Sequence, residues 1–424
     1  MTRRCETIAQ MNKIFPFAVF AVLTACGAQT EFDGSLEALL VSQPERFAAV
    51  MNDPARYRVQ IIYTQIHRDA ENQPTFVSYK FRVNDEAYFY PASTVKLPVA
   101  ALALEKLKRL DLAGVDRNTT MLTGSAAPFQ TEVTRDKTAA SGLPSVGQYV
   151  RKITAVSDND AFNRLYEFMS PRAINDSLRE RGFSEARIVH RLEVFRTPLQ
   201  NAWTNPVRFV DGNTLVYEQP AVRDEVQFPN VPQTLLGAAE VIDGKRVDGP
   251  KNFATKNALS LQALHDVVKA IMFSKALDAR RRFDLTEDDA RFLQRHMALY
   301  PAETGIGAYA DPTQYPDGYV KFLLYGGSAA DIPDNIRIFN KVGDAYGFLT
   351  DAAYIVDFDA GVEFLLAATI YTNANETFND NQYEYDQIGL PFLRDLGQAI
   401  YEVELARPKQ YPPDLDAVRG LFTS

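Results

Sequence analysis

The sequence predicts an α+β fold: one five-stranded antiparallel sheet flanked by helices and carrying an inserted helical lobe. The first observation is the order of elements, namely two strands, many helices, three strands and a final helix, which one sheet with an inserted lobe accommodates. The second is a content of 46% hydrophobic and 23% charged residues, which excludes disordered, collagen-like and coiled-coil chains. The third is that 424 residues contain only two Cys, so the fold rests on its hydrophobic core and not on disulfides.

Hydrophobic periodicity and turn residues predict the individual elements. In chain order they are a tether and short amphipathic helix over 26–54, strands over 58–67 and 75–83, a buried helix over 92–107, a helix capped by Ser145 and ending near Val156, and a helix over 160–169. The second half adds an irregular insertion over 202–256, helices over 259–273 and 288–300, a second insertion over 301–335, strands over 336–341, 349–357 and 362–371, and a helix over 390–405. We therefore expect one domain over 55–405, followed by a tail over 406–424.

The first 26 residues have the pattern of an export signal. Arg3, Arg4 and Lys13 precede an apolar run of 12 residues, 14–25, which is too short to span a bilayer. The run ends in Leu23-Thr-Ala-Cys26, which resembles the lipobox of bacterial lipoproteins. That resemblance implies removal of 1–25, lipidation of Cys26, and an extracytoplasmic protein in the periplasm or cell envelope that contacts the membrane through its lipid only. The alternative is an ordinary secretory signal in which Cys26 has no role.

Charge and motif content narrow the possible partners. The formal net charge is −9, and the absence of a basic stripe argues against a nucleic-acid partner. The four His residues are scattered without metal-ligand spacing. We find no phosphate-binding loop and no cofactor fingerprint, so we expect neither a metal nor a cofactor.

Three short motifs in the predicted domain carry chemistry. Ser93-Thr-Val-Lys96 begins a helix, and because positions three apart share one helix face, the Lys amine can lie near the Ser hydroxyl. Ser157-Asp-Asn159 interrupts a helix and offers a hydroxyl and an amide. Lys341-Val-Gly343 ends a strand, where it supplies a positive charge and a close backbone approach. Each motif alone is equally consistent with a capping residue or an ordinary strand end.

Together and in this order, the motifs resemble the S-x-x-K, S-D-N and K-T-G set of class A β-lactamases and penicillin-binding proteins. The resemblance implies the serine β-lactamase and DD-peptidase fold, with Ser93 as nucleophile, Lys96 as base and Ser157 as proton relay. It also implies that Asn159 and Lys341 bind substrate. Gly343 would admit the substrate to the strand edge, and the backbone N–H groups of Ser93 and Asp344 would form an oxyanion hole.

Two positions determine how far the resemblance extends. Val342 stands where the family has Thr, and that hydroxyl would bind a substrate carboxylate. The acid that activates the deacylating water is predicted to be Glu193, with Asp211 and Glu218 as weaker candidates. A structural pairing of Glu193 with Arg191 or Arg196 is an open alternative.

The predicted function is hydrolysis of a β-lactam or related amide or ester by a β-lactamase-like serine hydrolase, through an acyl-enzyme on Ser93. The partner is then a small-molecule or peptide substrate. One alternative keeps the chemistry and changes the substrate: a cell-wall peptide hydrolase of the penicillin-binding type, or an esterase. A second alternative is a non-catalytic binding lipoprotein.

Overall fold

The computed structural model describes residues 32, 34–224 and 231–423, so the predicted signal segment 1–25 and Cys26 lie outside the described residues. The helices are α1 (Leu36–Val41), α2 (Pro44–Met51), α3 (Lys96–Leu110), α4 (Val146–Val156), α5 (Asn159–Met169), α6 (Pro171–Glu180), α7 (Pro198–Asn201), α8 (Leu261–Met272), α9 (Glu287–Ala298), α10 (Phe322–Tyr325), α11 (Leu390–Ala406) and α12 (Asp416–Arg419). The strands are β1 (Gln60–Arg68), β2 (Pro74–Phe81), β3 (Thr120–Thr123), β4 (Val207–Asp211), β5 (Thr214–Gln219), β6 (Leu235–Leu236), β7 (Ala239–Ile242), β8 (Lys245–Asp248), β9 (Lys251–Asn252), β10 (Ile336–Ala345), β11 (Phe348–Asp357), β12 (Val362–Tyr371) and β13 (Thr377–Phe378).

The central sheet has the order β10-β11-β12-β1-β2. Every neighbouring pair is antiparallel, and the pairing of β1 with β12 joins the N-terminal hairpin to the C-terminal three-stranded meander. The prediction of a five-stranded antiparallel sheet with a helical lobe inserted between its second and third strands is confirmed. One edge of the sheet is β10, which carries Lys341.

Alternation along the strands divides the apolar side chains between two faces of the sheet. Phe339, Tyr354 and Leu365 belong to the cluster that also contains the buried side chains of α3, α5 and α8. The cluster on the other face includes α1, α2 and α11, and it contains the sequence neighbours of those three residues, Ile338, Ile355 and Leu366. Because both faces are covered, β11 and β12 read as nearly continuous apolar runs.

The inserted lobe places α3 against α4 and α5. Ser145 caps α4 as predicted, since its hydroxyl accepts a hydrogen bond from Gln148 N at 3.1 Å. No helix in the described ranges is both long enough and apolar enough to cross a membrane.

The structure corrects two predicted elements. The segment 202–256 is not irregular throughout: it contains β4 to β9, which form parts of three small sheets outside the central one. The single short helix predicted within 26–54 is two helices, α1 and α2, and Pro44 begins the second. A proline is favoured at the first helical position because the N–H that it lacks has no partner there.

Candidate active site

Ser93 and Lys96 lie at the start of the buried helix α3. Ala92–Val95 forms one 3-10 turn, and Lys96 is the first residue of α3. The spacing of three brings both residues to the same side of the helix start, as predicted. Ser93 is partly exposed, whereas the Lys96 side chain is fully buried. A reagent can therefore reach the hydroxyl while the amine remains shielded from water.

Lys96 connects the first motif to the second. Its Nζ donates to the Ser157 carbonyl, to Ser157 Oγ at 3.2 Å and to Asn159 Oδ1 at 2.6 Å. Among the described residues, it makes no hydrogen bond to Ser93 Oγ. A proton transfer from Ser93 to this amine would require the amine to exchange one of its present partners, and catalytic hydrogen bonds often tighten only when substrate binds.

Burial shifts the pKa of Lys96. Desolvation, followed by the charge of Lys341, lowers the pKa of the Lys96 amine well below its ordinary value. Asp158, Asp344 and Glu193 act in the opposite direction but do not outweigh the burial. The lowered pKa favours the neutral amine, which is the form that a general base requires.

The second motif is a tight turn between α4 and α5. Ser157 has φ 60°, in the left-handed region, and ends α4. Asp158 caps α5, its Oδ1 accepting from Ala161 N at 2.7 Å. The turn thereby directs the Ser157 hydroxyl and the Asn159 amide towards the lysines.

Lys341 reaches the same hydroxyl from the edge of the central sheet. Its Nζ donates to Ser157 Oγ at 2.8 Å and to the Val342 carbonyl at 2.9 Å. Burial lowers the pKa of Lys341 to about 7. Ser157 Oγ thus lies between two lysine amines that come from distant parts of the chain, and its own proton is available for a third group.

The third motif touches the first. A Cβ placed on Gly343 would lie 2.5 Å from the Pro91 carbonyl oxygen and 3.0 Å from Ser93 N. Only glycine allows β10 to pass this close to the residue before α3. Asp344, the next residue, thereby lies beside Ser93 at the strand edge.

Replacing Gly343 with alanine is expected to push β10 away from Ser93. Overpacking of this kind costs about 1–3 kcal/mol of folding stability. We expect a lower melting temperature together with slower covalent labelling of Ser93. Gly307→Ala is the control, because an added Cβ there meets no atom within 4 Å and its backbone is outside the left-handed region. Wild-type labelling in Gly343→Ala would show that the close approach does not matter.

Glu193 is near the second motif, and its Oε2 accepts a hydrogen bond from Asn159 Nδ2 at 2.7 Å. It has φ 58°, a strained conformation for a residue other than Gly, Asn or Asp, and its side chain is exposed. Within 34–224 and 231–423 neither Arg191 nor Arg196 pairs with Glu193, because Arg191 pairs with Glu167 and Arg196 donates to backbone carbonyls.

The two weaker candidate acids lie elsewhere. Asp211 ends β4, and Glu218 lies in β5 opposite Arg208. Both carboxylates are exposed, and neither contacts Lys96, Ser157 or Asn159 in the described structure. Glu193 is therefore the candidate acid that the fold brings to the motifs.

A cavity of about 600 Å³ opens beside Glu193. Its lining includes Tyr90, three residues before Ser93, together with His190, Lys256 and Tyr346. The volume lies within the usual range for small-molecule sites. Of the ranges that the structure describes, none contains a group of three or more His, Cys, Asp or Glu side chains that could hold a metal ion.

A buried polar network behind β10 was not predicted. Lys321 Nζ donates to Asn340 Oδ1 at 2.8 Å, and Asn340 Nδ2 donates to Asp351 Oδ1 at 2.8 Å. Burial lowers the pKa of Lys321 and raises that of Asp351. The network fixes the strand position just before Lys341. The only sequence signal was a charged residue within each of two apolar stretches.

The pH dependence of the site is expected to reveal the charge of Lys341. As pH rises through about 7, Lys341 loses the proton that it would keep to near 10.5 in water. The positive potential at Ser157 then disappears, and the pKa of Lys96 rises because a repelling charge is gone. The rate at which Ser93 is acylated in the wild type should therefore fall above pH 7.

Lys341→Arg tests this pH dependence, since arginine stays charged throughout the accessible range. Its acylation rate, followed by intact mass from pH 5.5 to 9, should lack the alkaline decline even if its absolute value is lower. An identical alkaline limb in both proteins would assign the titration to another group.

Three comparisons with known proteins bear on these observations. A family model described as "Beta-lactamase enzyme family" matches residues 45–280, more than half of the chain. A search of curated proteins found no match. The matched range contains Ser93, Lys96, Ser157, Asn159 and Glu193, whereas Lys341 follows it.

Similar solved structures include a beta-lactamase from Desulfarculus baarsii, at 13% identity and TM-score 0.46, covering 85% of this chain and 98% of that one. A class A beta-lactamase from Clostridium kluyveri has 14% identity and TM-score 0.45, with coverages of 84% and 97%. An ancestral class A beta-lactamase has 13% identity and TM-score 0.45, with coverages of 86% and 99%. On the family match over 45–280, this chain belongs to the beta-lactamase enzyme family.

Proposed function

We propose that this protein is a serine hydrolase that cleaves a β-lactam, or a related amide or ester, through an acyl-enzyme on Ser93. The observation that carries the proposal is the position of Ser157 Oγ between Lys96 and Lys341, in hydrogen-bond contact with both amines. A relay hydroxyl held by two lysines with lowered pKa values, next to a partly exposed serine, is suited to moving a proton from nucleophile to leaving group.

Acylation begins when neutral Lys96 takes the proton of Ser93 as Ser93 Oγ attacks the carbonyl carbon. The negative oxygen that forms would be held by the N–H groups of Ser93 and Asp344, and one such donor typically contributes ~3–4 kcal/mol. The bond to the leaving nitrogen or oxygen then breaks. The leaving group takes the proton of Ser157, which recovers one from Lys96.

Deacylation needs a water activated on the other side of the ester. Glu193 takes a proton from that water as the water oxygen attacks the acyl carbon. The ester bond then breaks, and Ser93 Oγ recovers the proton that Glu193 had taken. Asn159 contacts both Lys96 and Glu193. It therefore connects the base of the first step with the base of the second.

The test uses the purified protein with a chromogenic β-lactam, a fluorescent penicillin and an activated ester. We expect covalent mass addition that peptide mapping locates on Ser93, with turnover of at least one of the three substrates. Modification at another residue, or neither adduct nor turnover with any reagent, would overturn the proposal and favour the non-catalytic binding lipoprotein.

A penicillin-binding type of chemistry is the second candidate. It is favoured by the exposed, strained Glu193 and by Val342, whose side chain is 2% exposed and packs in the cluster behind the sheet. A valine there gives no hydroxyl to a substrate carboxylate. A stable adduct on Ser93 without turnover would select this candidate, whereas steady turnover would select the hydrolase.

We also propose that the protein is exported and anchored through a lipid on Cys26, from the lipobox pattern alone. The full chain is to be expressed in a bacterium with lipoprotein-processing enzymes and grown with a labelled fatty acid. Wild-type protein should carry the label in the membrane fraction, and Cys26→Ser should lose both label and membrane association. Cys5→Ser is the matched control, and label retained in Cys26→Ser would contradict the proposal.

A further inference from the structure

The strand edge beyond Lys341 lacks the features that would bind an anionic substrate group. Val342 turns its side chain into the apolar cluster behind the sheet. Asp344 follows the glycine that abuts Ser93 N, and its side chain is exposed. Opposite Asp344 on β11 is the apolar residue Leu349. A carboxylate therefore stands where an incoming substrate carboxylate would be repelled.

Asp344 is crowded by protein even though its side chain is open to solvent. Burial of its carboxyl among neighbouring atoms raises its pKa, and the charges of Lys341 and Lys96 oppose that rise. Both lysines have lowered pKa values and are directed at Ser157. They therefore leave the outward side of Asp344 without a hydrogen-bonded cation in the described ranges.

A cavity of about 390 Å³ lies at the end of β10 and begins at Ala345, the residue after Asp344. It is lined by Ala345, Tyr346, Asn379, Asn381, Tyr383 and Tyr385. The rings of Tyr383 and Tyr385 are stacked, with centroids 5.4 Å apart. Asp344 lies close enough to Tyr385 for its charge to raise the pKa of that phenol further.

The two tyrosine rings are held in place by their hydroxyls. Tyr385 Oη accepts from Gly347 N at 2.8 Å, and Tyr383 Oη accepts from Asn379 N at 3.0 Å. Both hydroxyls accept from the backbone, and both tyrosines line the cavity. Aromatic faces beside a carboxylate are a typical environment for an organic cation.

The chain around the cavity is negatively charged, as Asp344 is. Between Lys341 and Arg394 the sequence contains no Lys, Arg or His, and the segment that lines the cavity carries Glu376, Asp380, Glu384 and Asp386. Two bases from the adjoining segments pair with acids, Lys251 with Glu240 and Arg246 with Asp248. Lys251 Nζ also lies over the ring of Tyr346, 5.3 Å from its centroid, so a lysine amine already contacts one aromatic ring of the lining. The local field therefore favours a positive group.

We propose that this cavity binds a cationic group of the substrate, an ammonium carried on the molecule whose carbonyl reaches Ser93. The inference deepens the proposed function and rests on it, because the bound cation is part of a substrate only if Ser93 is the nucleophile. The binding of the cation itself stands on Asp344, Tyr383 and Tyr385.

The first experiment compares two fluorophosphonate probes that are identical except for a terminal trimethylammonium or carboxylate group. Labelling of Ser93 is followed by intact mass. We expect the cationic probe to react roughly tenfold faster in the wild type. Asp344→Asn should bring the ratio close to one, whereas Glu287→Gln, the same charge change on α9, should leave it unchanged. Equal rates in the wild type, or a ratio that Asp344→Asn does not alter, would overturn the inference.

The second experiment does not need a reactive serine. Benzyltrimethylammonium and benzoate are titrated into Ser93→Ala protein by calorimetry. Saturable one-to-one binding of the cation alone, weakened about tenfold by added Asp344→Asn or Tyr383→Leu, is expected. Cation binding without probe labelling would uphold the cavity and reject the acyl-enzyme. Labelling without cation binding or cationic preference would uphold the acyl-enzyme and reject the cavity.

Discussion

Ser93→Ala is expected to abolish covalent labelling and to lower turnover of any substrate by at least about 10³-fold. The nucleophile, its base and its relay act as a unit, so removing one member costs nearly as much as removing all of them. The fold should persist, because Ser93 lies on the surface side of the 3-10 turn and only one hydroxyl is lost. Intact mass measures the adduct, and steady-state kinetics measures the turnover.

Ser145→Ala is a matched control for this result. It removes a serine hydroxyl that caps α4 at a distance from the nucleophile, at a cost of ~1 kcal/mol in stability. We expect it to lower the melting temperature and leave labelling intact, the reverse of Ser93→Ala. If Ser93→Ala kept its adduct, another residue would be the nucleophile, and the order of the three motifs would have misled us.

The convergence of the motifs could be predicted because each rests on a short-range rule. A spacing of three on a helix places Lys96 near Ser93, and the Ser157 turn interrupts helical spacing visibly in the sequence. Lys341 ends an apolar run that was clearly a strand. The family resemblance implied that Lys341 and Ser157 belong to one site, but their direct contact is long-range and local patterns could not supply it.

Other parts of the structure depend on contacts that local patterns do not encode. In the segment 202–256, β8 is exposed at all four positions and β6 and β9 have two residues each, so none of them shows alternation. β4 pairs with β3, which lies far earlier in the chain. No local pattern accounts for the burial of Lys321, because its amine donates to Met297 of α9 and to Ile338 and Asn340 of β10, which are distant in sequence.

Glu193→Gln is expected to separate the two halves of the reaction. Glutamine keeps an oxygen that can accept from Asn159 Nδ2, so the hydrogen bond of 2.7 Å and the turn remain possible. It cannot take a proton from water, and loss of a general base typically costs about 10²–10⁴-fold in the step that needs it. The acyl-enzyme should form at a near-normal rate and then accumulate as a persistent mass adduct.

The measurement is a pulse of fluorescent penicillin or ester, followed by removal of the reagent and intact mass over time. Wild-type adduct should decay while Glu193→Gln adduct persists, and Glu218→Gln, an exposed acid in β5, should decay like the wild type. Unchanged decay in Glu193→Gln would remove Glu193 from deacylation. If the adduct instead decays slowly in both the wild type and Glu193→Gln, the protein is an enzyme that forms the acyl-enzyme readily and hydrolyses it slowly. The reason would be that the strained, exposed Glu193 does not hold a water against the ester.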